Sequence, residues 1–349
     1  MKHGDLAHSL LAWYDENARD LPWRISPSDR AAGINPDPYR IWLSEIMLQQ
    51  TTVAAVKSYF ERFTYLWPTV QDLAAAPDDQ VMGEWAGLGY YARARNLLKG
   101  ARAVVDQHEG VFPHDRKSLL ALPGIGPYTA SAVGSIAFDL PETVVDGNVE
   151  RVMSRLHDVH EPLPLSKPHL TELATRTTPK KRAGDYAQAI MDLGATVCTP
   201  KSPKCMICPW LDPCLAQKND TAAELPKKVP KPIKPTRKGF AYVAQTTSGA
   251  WVMERRPDKG LLGGMLGWPG SEWNETAQNT PPFEAQWHEL GEIKHTFTHF
   301  HLFLRVMVAS DHPKNSDAYL TLGANEFKPT DLPTVMRKVF DVAQSHFDD

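Results

Sequence analysis

Between Leu225 and Pro235 the chain reads Leu-Pro-Lys-Lys-Val-Pro-Lys-Pro-Ile-Lys-Pro, and four prolines in eleven residues exclude a helix there. Proline has no amide hydrogen and clashes with the preceding turn, so this stretch favours an extended, polyproline-type path and divides what lies on its two sides. Before it the apolar spacing is helical, as in Leu6, Leu10, Leu11, Trp13 and Tyr14, and again in Leu97, Leu98, Ala101, Val104 and Val105. After Gly239 the pattern changes to β-type runs at Phe240–Ala244, Ala250–Met253 and His301–Val308, separated by Gly/Pro-rich turns, with a final helix expected at Thr334–Phe347. A chain of 349 residues is also long for one hydrophobic core. The expected domains are therefore residues 1–223, all-α; a Pro/Lys-rich linker at 224–238; and a smaller α/β domain at 239–349. No internal repeat is visible.

Charge narrows the function classes only regionally. The net charge of −3 gives no support to nucleic-acid binding by itself, whereas residues 224–238 carry six Lys and Arg against one acid. The opening Met1-Lys2-His3-Gly4-Asp5 lacks the apolar run of a secretion signal, and no stretch approaches the ~18 apolar residues of a membrane span. The expectation is a cytoplasmic protein with no membrane partner.

All four cysteines, Cys198, Cys205, Cys208 and Cys214, fall within seventeen consecutive residues. Thiols so close in sequence converge on one soft metal centre rather than staple distant elements. Zinc and an iron–sulfur cluster are the two options. A zinc ribbon normally has two separated Cys-x2-Cys knuckles, so a single pair flanked by lone cysteines favours [4Fe–4S]. Lys201 and Lys204 beside it suggest an exposed basic loop able to reach phosphates.

Leu122-Pro123-Gly124-Ile125-Gly126-Pro127-Tyr128 reads as a tight glycine turn between two helices, with Pro127 suited to a first helical turn. Free N–H groups at Gly124 and Gly126 are then available to a phosphate oxygen without any lysine; the plainer alternative is a simple connection between packed helices. Asp37-Pro38 starts a helix that contains Glu45, whose neighbours three and four residues away are Ile41, Trp42, Leu48 and Gln49. A carboxyl group on so apolar a face is desolvated and keeps its proton, as a general acid requires; a structural ion pair is the alternative. Asp146-Gly147-Asn148 precedes another helical stretch, so Asp146 is either a second functional carboxylate or an N-cap.

In this order, an apolar-faced Glu, a Gly-x-Gly hairpin, an Asp-Gly-Asn turn and a four-cysteine loop resemble the helix-hairpin-helix DNA glycosylases with an iron–sulfur cluster. More narrowly, Trp42–Thr51, Gly87–Arg93, Leu122–Ala130 and Val145–Val149 resemble the adenine DNA glycosylase (MutY) family. The resemblance implies removal, in base excision repair, of adenine mispaired with 8-oxoguanine or guanine, after the nucleotide has been flipped out of the helix. It implies that Glu45 protonates adenine N7, that Asp146 stabilises the oxocarbenium-like sugar, that Asn148 orients Asp146, and that Tyr128 lies beside the flipped nucleotide. Related bifunctional enzymes have a Schiff-base lysine at the place of Tyr128, so base removal without efficient strand cleavage is expected. Arg19, Leu21, Trp23, Arg24, Leu48 and Gln188 match positions shaping the adenine pocket, and Gln50 and Tyr90 match residues that enter the duplex. Ser26–Asn35 is an insertion relative to the family, and Glu150 stands where basic residues occur, so no DNA contact is assigned there.

Residues 239–349 resemble the family's Nudix-like C-terminal domain, chiefly through Gly263–Gly270 and His295–Leu302. Phe297, Thr298 and His299 match its lesion-contacting loop, where an aromatic can wedge and a hydroxyl or imidazole can hydrogen-bond the altered base; the plainer alternative is a polar β-turn with Phe297 in the core. The metal-binding Arg-Glu-x-x-x-Glu-Glu helix of working Nudix hydrolases has no counterpart in Ser271–Gln278, so pyrophosphatase activity is not expected. The whole implies an all-α helix-hairpin-helix domain with a [4Fe–4S] loop plus an α/β Nudix-like domain, a monomer that binds double-stranded DNA and is nucleoid-associated. The rivals are a glycosylase of the same fold with another base substrate, and a non-catalytic iron–sulfur DNA-binding module.

Overall fold

The computed structural model describes residues 3–230, 232–257, 260–310 and 319–347; Met1, Lys2 and Lys231 of the segments discussed above lie outside the described residues. Two compact units result, Met1–Pro230 and Lys231–Asp349.

The first unit is helical: α1 His3–Asn17, α2 Pro27–Ala31, α3 Pro38–Leu48, α4 Val53–Leu66, α5 Val70–Ala75, α6 Asp78–Glu84, α7 Ala92–His108, α8 Arg116–Ala121, α9 Pro127–Phe138, α10 Gly147–Leu156, α11 Lys167–Thr177, α12 Ala183–Asp192 and α13 Leu215–Lys218. Local signals set many starts. Asp37 caps α3 by accepting from Tyr39 N at 2.9 Å, ahead of Pro38, and Pro127 opens α9. At the centre lie α9, buried throughout Thr129–Ile136, and α12, buried along its whole length. The α12 helix packs on α9 and α1, and α3 packs on α9. Helix α9 carries no charged side chain and belongs in the interior, whereas α12 takes Asp185, Gln188 and Asp192 in with it; this pair forms the wall behind the site. Beyond Asp192 the chain widens into a π turn, Leu193–Val197, before the cysteine loop.

The insertion at Ser26–Asn35 forms α2 and sends Arg30 back into the body. Its Nη1 donates to Ile136 O at 2.9 Å, and the guanidinium lies 3.6 Å from Asp185 and 3.7 Å from Asp139. The extra residues thus brace the end of α9 against the start of α12.

Both ends of the proline–lysine stretch are structured. Leu225 is buried and its carbonyl accepts from Arg155 Nε, while Leu163 and Lys228 form a parallel bridge, so residues up to Pro230 belong to the helical unit. At its other end Thr236 already lies in a strand.

The second unit has one mixed sheet of β1 Thr236–Gln245, β2 Trp251–Arg255, β3 Leu266–Gly267, β4 His288–Thr296, β5 His301–Ala309 and β6 Leu320–Leu322, in the order β3-β2-β1-β5-β4 with β6 also paired to β2. The β1 and β5 strands run parallel from Thr236↔His301 to Ala244↔Ala309. Helix α14, Thr334–Ala343, covers one face with Val335, Met336 and Val339 against Trp268, whose Nε1 donates to Met336 O at 3.0 Å. This helix ends four residues before the expected Phe347: the chain tightens into a 3-10 turn at Gln344–His346, a common way for a last turn to close. Residues 271–278 form no helix; Asn274 instead bridges back to Lys238. Among the described residues no helix is long and apolar enough to cross a membrane.

Candidate functional site

A cleft of about 610 Å³ opens in the helical unit, and eleven of the expected site residues line it. Glu45 enters from the middle of α3, where only 7% of its surface is exposed. Burial pushes its carboxyl up to about 7; a hydrogen bond with Tyr128 and the Arg24 charge pull the other way, while the nearby Asp146 charge adds to the rise. Burial also raises the Tyr128 phenol, beside those two carboxyl groups. The Tyr128 hydroxyl reaches Met191 Sδ at 3.8 Å as well.

Asp146 is the N-cap of α10 and lines the same cleft. Its Oδ1 accepts from the N–H groups of Asn148 at 2.9 Å and Val149 at 2.8 Å, and Oδ2 accepts from the Asn148 side-chain amide at 2.7 Å. Three donors converging on one carboxylate is the arrangement a helix N-terminus offers an anion. Arg151 in turn donates to Asn148 Oδ1 at 2.8 Å, Gly194 O at 2.6 Å and Cys198 O at 2.7 Å, tying this turn to the π turn and to the first cysteine.

Arg19, Leu21, Trp23, Arg24, Leu48 and Gln188 all face the cleft. No residue of the Ser26–Asn35 insertion lines the cleft, whereas Trp23 and Arg24 just before it do. Leu21, Trp23 and Gln188 are buried, and Trp23 meets Phe60 edge-on at 5.3 Å. Both arginines grip Asp192, a fully buried carboxylate at the end of α12: Arg24 Nη1 at 2.6 Å and Nη2 at 2.9 Å, Arg19 through Nε and its backbone N–H. Asp192 and Arg151 were not singled out from sequence. An acid following the apolar Ala189-Ile190-Met191 carried a signal like that of Glu45 in α3; Arg151, one turn beyond Asn148, carried none.

Gln50 lines the rim and Tyr90 stands on a neighbouring loop, 53% exposed. Both have left-handed backbones, with φ of 59° and 50°, which is uncommon for residues other than glycine. Glu150 also lines the cleft, and its carboxylate pairs with Lys167 Nζ at 2.8 Å. At the hairpin, Gly124 has φ of +78° and a Cβ there would lie 2.8 Å from Asn96 Cβ, whereas a Cβ on Gly126 would meet nothing within 4 Å. Gly124 is needed by the protein's own packing; Gly126 faces open space at the start of α9.

The four cysteines border one small cavity together with Arg155, whose Nη1 lies 3.3 Å from Cys198 Sγ. Among the described residues no three His, Cys, Asp or Glu side chains are placed to hold a single metal ion. Four thiols around a shared space fit the larger cubane, and the Arg155 guanidinium supplies a donor to sulfur of the kind that tunes such clusters. Burial raises the thiols of Cys208 and Cys214, which a cationic iron centre would hold deprotonated. Lys201 and Lys204 are exposed on this loop.

In the second unit Thr298 and His299 are exposed at the β4–β5 turn. Phe297 is half-buried: its ring stacks on Trp273 at 5.8 Å and meets Phe300 at 4.9 Å, while its N–H donates to Phe300 O at 2.9 Å. Lys234 Nζ donates to Phe297 O at 2.9 Å.

Residues 43–176 match the HhH-GPD superfamily base excision DNA repair proteins, residues 198–214 the iron–sulfur binding domain of endonuclease III, and residues 240–342 a NUDIX domain. The adenine DNA glycosylase of Rattus norvegicus is 33% identical over 97% of this chain and 78% of that protein, and that of Homo sapiens is 34% identical over 96% and 73%. The solved structure of a thermostable thymine-DNA glycosylase aligns with a TM-score of 0.54 at 30% identity, covering 62% of this chain and 97% of that one. Endonuclease III in a non-covalent DNA complex aligns with a TM-score of 0.50 at 26% identity, covering 63% and 98%. Matched along nearly its whole length by such relatives, the chain belongs to the adenine DNA glycosylase family: it is a DNA N-glycosylase of base excision repair, with an iron–sulfur cluster as cofactor.

Proposed function

We propose that the protein removes adenine from A:8-oxoguanine and A:G mispairs in double-stranded DNA, by hydrolysis and without efficient strand cleavage. The observation that carries this is one cleft holding a buried acid pushed up to about 7, Glu45, and a donor-bound carboxylate, Asp146. Glu45 gives its proton to adenine N7, which turns the base into a better leaving group. Asp146, oriented by Asn148, faces the sugar as positive charge develops there. Two carboxyl groups in different surroundings divide acid and anion duties, the logic that also serves glycosidases. Tyr128 stands beside the nucleotide, and a phenol cannot form the Schiff base that lyase chemistry requires.

In this reading Arg19, Leu21, Trp23, Arg24, Leu48 and Gln188 frame the extruded adenine, Gln50 and Tyr90 enter the gap it leaves, and Gly124 and Gly126 hold a backbone phosphate. Phe297, Thr298 and His299 read the oxidised guanine. Thr298 and His299, exposed on the turn, offer a hydroxyl and an imidazole to hydrogen-bond it; Phe297 acts by packing that turn in place, since its ring already stacks on Trp273. Cys198, Cys205, Cys208 and Cys214 ligate the [4Fe–4S] cluster, which takes no part in bond breaking but shapes the loop that presents Lys201 and Lys204 to phosphates. The enzyme works as a monomer at the nucleoid.

Single-turnover excision on defined duplexes tests this. Adenine opposite 8-oxoguanine and opposite guanine should be released, while adenine opposite thymine should not. Substituting Phe297 and His299 together should narrow the gap between the two mispairs; an equal loss on both points to a folding defect instead. A borohydride-stable adduct in stoichiometric yield would overturn the hydrolytic assignment.

A further inference from the structure

Arg93, the second residue of α7, has a guanidinium that the chemistry above does not use. Its Nη1 donates to the carbonyls of Ile46 at 3.0 Å and Met47 at 3.1 Å and to that of Gln49. Its Nη2 donates to Leu88 O at 3.0 Å and Gly89 O at 3.1 Å, with a long contact to Thr51 Oγ1 at 3.4 Å. The cation also lies 5.3 Å from the centre of the Trp85 ring and 5.5 Å from that of Tyr90.

These acceptors are not scattered. Ile46, Met47 and Gln49 carry the orphan carbonyls at the C-terminal end of α3, the helix that bears Glu45. Gln49 and Gly89 each immediately precede one of the two left-handed residues, Gln50 and Tyr90. A left-handed backbone at a residue with a side chain is costly and persists only where its surroundings hold it. One planar fork therefore fixes the peptide plane that leads into each, and refers both to the end of the Glu45 helix. Lysine has a single nitrogen and cannot span the two loops.

We propose that Arg93 is a positioning residue that joins Gln50 and Tyr90 into one wedge, held in fixed register with Glu45. It acts on extrusion of the adenine nucleotide and not on cleavage of its glycosidic bond. The inference rests on the reading of Gln50 and Tyr90 as the residues that enter the duplex.

The test uses the cluster-loaded full chain with Arg93→Lys, and a duplex carrying 2-aminopurine at the target position, whose fluorescence rises on unstacking. The variant should lose most of that rise and excise adenine about 10- to 100-fold more slowly under single turnover, the order of loss expected for misplaced positioning groups. The alkaline limb of its pH profile should stay where the wild type has it. On a duplex with an abasic site opposite the adenine, where unstacking costs less, the rate should return to within a few-fold of wild type. A wild-type fluorescence rise, or the same loss on both duplexes, would overturn the proposal. A second measurement needs no change at Arg93: Gln50→Ala, Tyr90→Ala and the double variant form a cycle. A single joined wedge predicts a double loss smaller than the product of the single losses, and independent multiplication refutes it. If neither single variant alters the fluorescence rise, the wedge reading itself fails; if both do while Arg93→Lys does not, only the role of Arg93 falls.

Discussion

Glu45→Gln should make the protein more stable and inactive, and the stability gain should depend on pH in a specified direction. In the folded chain the Glu45 carboxyl sits at about 7, against an ordinary value of 4.5. Where both states are protonated, at low pH, the buried group costs nothing. As pH rises past 4.5 the unfolded chain ionises and gains water, while the folded chain holds the proton until pH passes 7. The contribution of this one group to stability is therefore whole at low pH and is lost progressively across this window, and above it the loss levels off. At about 1.36 kcal/mol per pH unit the full loss is about 3 kcal/mol, with about 1 kcal/mol already lost at pH 5.

Glutamine has nearly the same shape and never ionises, so the variant escapes this penalty. Thermal unfolding of both proteins at one scan rate, from pH 5 to pH 8.5, checks it. For a unit of this size about 3 kcal/mol corresponds to a Tm gap of about 6–12 °C at pH 8.5, shrinking to a few degrees at pH 5. The same variant should lose at least about 100-fold in excision rate, the contribution of a placed general acid. A Tm gap that does not grow with pH refutes the desolvation argument, and excision at the wild-type rate refutes the assignment of the acid.

Tyr128→Phe removes a hydrogen bond that favours the Glu45 carboxylate, so the alkaline limb of kcat/KM should move to higher pH; an unmoved or lowered limb counts against that bond. Asp192→Asn leaves the cations of Arg19 and Arg24 without their anion, which should cost about 3–5 kcal/mol and raise KM for the mispair, measured by denaturation and steady-state excision. At the hairpin, Gly124→Ala should destabilise by about 1–3 kcal/mol, because of its positive φ and the Asn96 contact. Gly126→Ala should unfold within about 0.5 kcal/mol of wild type yet weaken DNA binding, since the open space its Cβ would enter is where a phosphate would sit; binding isotherms at two salt concentrations separate the two glycines.

What could be read from the sequence is what local chemistry decides. Asp37-Pro38 and Pro127 announce helix starts by capping and by a preset φ, and the apolar neighbours of Glu45 follow from helical spacing alone. The four-cysteine spacing works the same way. What escaped depends on partners far along the chain. Asp192 meets Arg19 and Arg24 more than 160 residues away, Arg93 reads carbonyls of α3 more than forty residues back, and Thr236 becomes a strand residue because His301 runs parallel to it. Leu225 sits in a proline-rich run yet is buried, since Arg155 donates to its carbonyl and Leu163 forms an isolated bridge with Lys228 just beyond it. The α14 end was misjudged for another reason: no glycine or proline marks it, and the last turn merely tightens.

At Asp146 the sequence posed an alternative, a functional carboxylate or an N-cap; the side chain is the N-cap of α10, and that position is compatible with the proposed role as well. The same side chain caps α10 and lines the cleft, so in the proposed reaction its cap bonds would be the means of holding a carboxylate toward the sugar. An N-cap residue has a fixed extended backbone and its oxygens bound by N–H groups, hence little freedom to swing away or to recruit another cation. Asn148 completes the shell through its amide while its own oxygen is held by Arg151, so the orientation is passed outward to the π turn and the first cysteine. Glu45 lies under the opposite regime, in the middle of a helix with no free N–H to accept from, surrounded by Ile41, Trp42 and Leu48. A helix start thus surrounds one carboxyl group of the cleft with N–H donors, while a helix middle buries the other among apolar side chains.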